Sequence, residues 1–285
     1  ISACLVGSEM CIRDRYTTSL AATRAGSYSQ AWSFNGNPNY SPVSGTISFT
    51  IAKATPILTW ANPSPIATFT ELTSTQLNAT ANVAGSFAYT PAAGALLPAG
   101  VQTLSTLFTP SDTQDYSTAS ATVSITVLAP GTATVIGSRL FLVGGPNSDD
   151  HINVEPTGAS RTGSTGIDVE ARLNGKNIEA PYSGITAITI FAGNGNLHVE
   201  GGEHLTIGFT ILAGNGDDHI EIGDGNNSIV IAGGHEGHIE AGNGNNNITV
   251  GNGVVRVHLR GGKNVVNRGH GDDHVEAGDG KNTIN

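Results

Sequence analysis

From Ala213 to Asn285 the polarity of the chain repeats every nine residues. The units run AGNGDDHIE, IGDGNNSIV and, after Ile231 as one extra residue, AGGHEGHIE, AGNGNNNIT, VGNGVVRVH, LRGGKNVVN, RGHGDDHVE and AGDGKNTIN. The eighth position is always Ile or Val, from Ile220 and Ile229 to Val275 and Ile284. The second is Gly except at Arg260, the fourth Gly except at His235, and Ala192–Glu200 is an earlier copy. Glycines at fixed offsets mark tight turns, where backbone must adopt φ > 0 or approach other backbone closely. The last three positions read outward, inward, outward, a short strand with one β-branched residue buried. Such a strand cannot bury its apolar face alone, so the units must stack, and the pattern predicts a parallel β-solenoid. Helix is excluded by the period and by the glycines.

Residues 16–130 follow a different rhythm. Polar and apolar residues alternate at Thr46–Ile51 and again at Thr122–Val127, the period-two signature of a half-buried strand. These stretches belong to an internal repeat that matches Phe34 to Phe108, Tyr40 to Tyr116 and Ile47 to Val123. Closely spaced strands separated by Pro and Asn-Pro turns predict tandem β-sandwiches, with residues 16–54 holding the second half of one and residues 55–130 a complete one. Trp32, Trp60, Phe87 and Tyr116 could serve as a sugar-stacking platform; the commoner reading places them in the sandwich core. Residues 131–190 read as less regular strands that cap the solenoid from 191 onward, with Asn174-Gly175 as a type I′ hairpin turn. The predicted fold class is therefore all-β: sandwich repeats followed by a parallel β-roll.

Two resemblances follow from these residues. The nonapeptide is similar to the G-G-x-G-x-D-x-U-x repeat of RTX-type β-rolls. That resemblance implies two units per coil and calcium held in the turns, with Asp at the sixth position. Only Asp218 and Asp273 keep that Asp; Asn227, Asn246, Asn264 and Asn282 replace it, and Gly237 and Val255 break the series. The stretches KATPILTW (53–60), LNATANVAGSFAYTPAAGALLPAG (77–100) and FTPSDTQDYSTASATVSITV (108–127) resemble a bacterial Ig-like repeat of the MBG-like kind found in surface proteins. The first fifteen residues, ISACLVGSEMCIRDR, fit neither pattern and resemble a translated sequencing-adaptor segment. They hold both cysteines, Cys4 and Cys11, so the rest of the chain has no disulfide framework.

The RTX resemblance nominates Asp217, Asp218, Asp224, Asp272, Asp273 and Asp279 as weak calcium ligands. Calcium takes six to eight oxygens. With two units per coil, Asp217 and Asp218 face His235, Glu236 and Gly237, while Asp272 and Asp273 face Val254 and Val255. Asp224 and Asn227 face Asn243 and Asn246; Asp279 and Asn282 face Gly261 and Asn264. No edge stacks two complete acidic turns in succession. The alternative is a ladder of Asn side chains that satisfies the turns without an ion.

A second pattern is the triplet His-(Ile/Val)-Glu at 198–200, 219–221, 238–240 and 274–276. Its outer residues share one face, whereas the opposite face carries uncharged Ser228, Val230, Asn247, Thr249, Val265, Asn267, Thr283 and Asn285. Rungs about 4.8 Å apart put His219 over His238 and Glu221 over Glu240, a set able to hold a transition metal or to form a solvated His–Glu face. His151, His204, His235 and His270 read as isolated turn residues.

Charge sharpens the functional expectation. Residues 1–130 hold four Lys/Arg and five Asp/Glu, so nearly all of the formal net charge of −10 falls on the remainder. An acidic solenoid favours cations and argues against nucleic acid. No apolar run reaches the roughly 20 residues of a membrane helix. The absence of a signal peptide carries little weight, because the chain begins without Met and stops within the array. The expected function is that of a secreted or surface-anchored bacterial segment, adhesin-like and structural. In it Ig-like spacers carry a weakly calcium-binding β-roll toward cell-surface, matrix or carbohydrate ligands. No nucleophile, base and orienting group can be assembled, so an enzyme is not expected. The alternatives are an accessory, non-catalytic region of an extracellular enzyme and a transition-metal-binding solenoid face.

Overall fold

The computed structural model describes residues 22–157, 166–178, 181–202 and 205–285; the leader 1–15 lies outside them. Among the described residues the chain is all-β without helix, 57% of it in strands, and it contains a β-solenoid of about five turns. No helix among the described residues is long and apolar enough to cross a membrane. The chain divides into two compact units, one of residues 1–61, 78–90 and 105–122, the other of residues 62–77, 91–104 and 123–285.

In the first unit, strand Gly26–Phe34 pairs antiparallel with Val43–Ile51. Strand Gly85–Thr90 pairs antiparallel with Ser105–Pro110, setting Phe87 opposite Phe108 with ring centroids 4.8 Å apart. Trp60 meets Tyr89 edge-on at 5.4 Å, and both are half-buried, so these aromatics pack against one another within the unit. Arg24 forms ion pairs with Asp112 at 2.5 Å and Asp115 at 3.0 Å.

The second unit is dominated by the solenoid, whose strands pair in parallel on two faces. One face stacks Arg139–Val143, Ala187–Phe191, Gly208–Asn215, the first halves of Ser228–Ala241 and Asn247–Leu259, Val265–Asn267 and Thr283–Ile284. The other stacks Asp150–Pro156, Leu197–Gly201, His219–Ile222, the second halves of the two long strands, and His274–Ala277. The eighth-position residues lie between the faces in one core with Leu140, Ile188, Ile190, Val199 and Ile211. Burial is lower at Val275, which is half-buried, and at Ile284, which is 45% exposed.

Close stacking explains the fourth-position glycine. At Gly253 the backbone has φ 147°, and a Cβ there would lie 2.2 Å from the carbonyl oxygen of Gly234 in the coil below. No side chain fits.

The parallel register begins at Arg139, ahead of the first Gly-rich unit. Gly144–Asn153 forms a coil edge too, with Pro146 and Ser148 among its turn residues, and the amides of Gly193 and Asn194 donate to the Gly145 and Pro146 carbonyls. Antiparallel strands flank this coil: Thr132–Ile136 on Arg139–Val143, and Ile167–Leu173 on Asp150–Pro156. The hairpin at Asn174-Gly175 has φ of 52° and 74°, the positive pair that a type I′ turn requires. A smaller cluster of Ala67, Leu128, Phe69, Phe141, Val143 and Phe191 covers the outer side of the first face at this end.

Candidate functional site

The turns along the two edges of the solenoid place the proposed calcium ligands. On one edge Asn227, Asn246, Asn264 and Asn282 stack. Asn227 Nδ2 donates to Asn246 Oδ1 at 2.8 Å, Asn246 Nδ2 to Asn264 Oδ1 at 3.0 Å, and Asn264 Nδ2 to Asn282 Oδ1 at 3.0 Å. The same amides donate to turn carbonyls, Asn227 to Gly225 O at 3.0 Å and Asn246 to Gly242 O at 3.2 Å. Their Oδ1 atoms accept backbone N–H from the coil before: Phe209 to Asn227 at 3.0 Å and Asn246 to Asn264 at 3.1 Å. Asp224, on this edge, accepts the Asn243 amide at 2.6 Å and its side-chain Nδ2 at 3.1 Å. This is the Asn ladder, and it completes the hydrogen bonding of buried turns from within the chain.

The opposite edge carries Asp218 and Asp273 at the equivalent position. Each repeats the first half of the Asn pattern, since Asp218 Oδ1 accepts Leu197 N–H at 3.0 Å and Asp273 Oδ1 accepts Val255 N–H at 3.0 Å. The second half fails. Oδ2 of both residues is buried without a hydrogen-bond partner. In the next coil the place that would hold a partner for Asp218 is Gly237. Burial raises the Asp218 carboxyl to about 6; the Leu197 N–H opposes that shift and the charge of Asp217 adds to it. Asp217 accepts the Glu236 N–H at 2.8 Å. Asp272 and Asp279 lie on exposed turns. The six acids are thus spread over both edges and not gathered at one centre.

The outer face of the second stack holds the His–Glu triplets. His219 pairs in register with His238 and Glu221 with Glu240. Each imidazole Nε2 contacts the Glu two residues on: His198 with Glu200 at 3.0 Å, His219 with Glu221 at 2.8 Å, His238 with Glu240 at 3.0 Å and His274 with Glu276 at 3.1 Å. His258 Nδ1 adds a second contact to Glu276 at 3.2 Å. The hydrogen bond from His198, then that from Asn153, lowers the Glu200 carboxyl; the one from His274, then the charges of His274 and His258, lowers Glu276.

His151 is not an isolated turn residue. It stands in strand Asp150–Pro156, in register with His198, and extends the imidazole column to His151, His198, His219 and His238. The hairpin cap holds it there: Asn174 N–H donates to the His151 carbonyl and Asn174 Oδ1 accepts the His151 N–H, both at 2.8 Å. The sequence signal was the recurrence of Asp-Asp-His followed by Ile or Val at 149–152, 217–220 and 272–275. His204 lies outside the described residues, and His270 is exposed in a turn with its N–H on Asn252 Oδ1 at 3.1 Å.

Beside this column Glu155, Glu200, Glu221 and Glu240 line a groove of about 430 Å³ that also borders His258 and Arg260. The stacked carboxylates give the face a negative potential that draws cations. Comparison of the chain with family models, with curated proteins and with solved structures found no match.

Proposed function

We propose that the chain is a structural, adhesin-like segment of a secreted or surface-anchored bacterial protein. Ig-like spacers of the MBG-like kind carry a β-roll of RTX type, whose Asp edge takes calcium weakly and stiffens the roll for contact with cell-surface, matrix or carbohydrate ligands. The observation that carries this reading is the pair of buried, unpartnered oxygens, Asp218 Oδ2 and Asp273 Oδ2. A carboxylate oxygen buried without a donor is costly, and either a proton or a cation relieves it. Both residues occupy the position at which the RTX pattern places its calcium-binding Asp. Asp218 and Asp273 stand three coils apart, so each would hold its own ion with neighbouring turn carbonyls, and each ion would supply charge neutralisation and a link to the adjoining coil. Asp224 fits less well, because Asn243 already occupies its Oδ1 twice.

With few carboxylates per turn, affinity falls on the order of 10⁻⁴–10⁻³ M, the range of extracellular calcium modules. An ion that binds only the folded roll adds about 2.7 kcal/mol at a hundredfold excess over Kd. The test is thermal melting of the full chain with and without millimolar Ca²⁺, with Mg²⁺ as the screening control. The expected result is a rise with Ca²⁺ alone that disappears when Asp218→Asn and Asp273→Asn are combined. Equal response to both ions would sink the calcium reading and leave a roll held by its own hydrogen bonds.

A further inference from the structure

The imidazole column is not uniform, and its irregular end is where a second kind of ion fits. We propose that His151, His198 and Glu200 form a transition-metal site on the outer face of the solenoid. It takes a borderline divalent ion such as Zn²⁺ through His151 Nε2, His198 Nε2 and one Glu200 carboxylate oxygen, with water completing a tetrahedron.

Distances select this rung. One ligand atom from each residue can be chosen so that all lie within 4.8 Å of one another. Glu200 Oε1 stands 3.0 Å from His198 Nε2 and 3.8 Å from His151 Nε2. With zinc–ligand bonds of about 2.0–2.1 Å, the edge of a tetrahedral site is about 3.3 Å. The two observed His–Glu separations bracket that edge, and side-chain rotation that draws together the two imidazole nitrogens, which lie within 4.8 Å of each other, closes the site. The residues are partly exposed, which leaves the ion a path from solvent.

Ring orientation excludes the next rungs as equivalents. His151 and His198 are tilted by 43° with centroids 4.6 Å apart. His198 and His219 are stacked within 6° at 4.9 Å, and His219 and His238 within 18° at 5.0 Å. Parallel rings direct their nitrogen lone pairs side by side, not toward one point. Tilted rings let both Nε2 atoms approach a single carboxylate oxygen.

The surroundings support ligation. Asn153 Nδ2 donates to Glu200 Oε2 at 3.1 Å, leaving Oε1 for the metal and fixing the carboxylate plane, as outer partners do in metal sites. Two imidazoles and one carboxylate suit zinc and its neighbours, whereas calcium prefers an all-oxygen set. This ion is therefore separate from any calcium at the Asp edge. It would tie strand Asp150–Pro156 to Leu197–Gly201, which are neighbours in the stack but far apart along the chain.

Co²⁺ titration of the EDTA-stripped full chain tests the site through the ligand-field spectrum. The expected result is an intense four-coordinate spectrum that saturates at one equivalent per chain and is displaced by Zn²⁺. His198→Gln and Glu200→Gln should each remove it. Asn153→Ala keeps all three ligands and should weaken binding by about 10–100-fold. His219→Gln, and Asp218→Asn with Asp273→Asn, should leave the spectrum in place, which separates the site from the stacked rung and from the calcium edge. A pale six-coordinate spectrum, or a four-coordinate one that survives His198→Gln, would overturn the proposal.

Discussion

The two edges of the solenoid use the same turn, but one stacks Asn at each rung from Asn227 to Asn282, whereas the other carries Asp218 and Asp273 with Gly237 and Val255 between them. On the Asn edge, Oδ1 accepts from the preceding coil while Nδ2 donates to the next, and Asn227 and Asn246 both complete this relay. On the Asp edge, Asp218 and Asp273 make the first bond, and an oxygen stands where the amide would donate. Replacing NH₂ by O turns a donor into an acceptor at a site that is almost fully buried. One edge is thereby self-sufficient, and the other calls for a proton or a cation. Asp150 shows a third solution at the same position: Gly145 N–H, Ser148 Oγ and Asn174 Nδ2 all donate to its carboxylate.

The largest effect is expected from breaking the intact edge. Asn246→Ala removes the amide that bonds Asn264 and Gly242 and the oxygen that receives Asn227. Leaving these buried partners unmade should cost about 3–5 kcal/mol. Chemical denaturation of the variant and the unsubstituted chain measures it, and a loss under about 1 kcal/mol would mean that the ladder contributes little.

The reverse change on the Asp edge should stabilise. Asp218→Asn installs the missing donor and removes a buried charge, for a gain of about 1–3 kcal/mol at pH 7.5 without calcium. The pH dependence has a definite sign. The folded carboxyl is raised to about 6 from 3.8, so the native state binds this proton more tightly than the unfolded chain does. Its contribution is therefore full below about pH 4 and is lost as pH rises through about 6. The gain from Asp218→Asn should shrink toward acid pH; a pH-independent gain would show that charge is not its cause.

The smallest effect sharpens the comparison most. Asp150→Asn is the same substitution at the equivalent position, yet it should destabilise by about 1–2 kcal/mol, because an amide cannot accept from all three donors at once. Melting curves of the two Asn variants at pH 7.5 should shift in opposite directions. A stabilising Asp150→Asn would mean that neighbouring donors do not decide the sign.

Much of this was readable along the chain. A rung's neighbours lie one coil away in a short, nearly constant repeat, so the nine-residue period already assigns the buried Ile and Val and the turn glycines, and the two-unit coil implied by the RTX resemblance adds the uncharged face and the stacking of Asn227 on Asn246. What the period could not reach was set by the tertiary structure. His151 joins the imidazole column across a long excursion of the chain, in a coil edge whose glycine pattern is broken by Pro146 and Ser148. The ring tilt that separates His151 and His198 from the stacked pairs is fixed by packing and has no signature in spacing. Asp150 and Asp218 carry the same letter in the same motif, Asp-Asp-His-Ile, but Asn174 reaches one while Gly237 leaves the other bare. Residue type gave each turn its hydrogen-bonding capacity; only the partners brought in from distant segments decided which oxygens were satisfied.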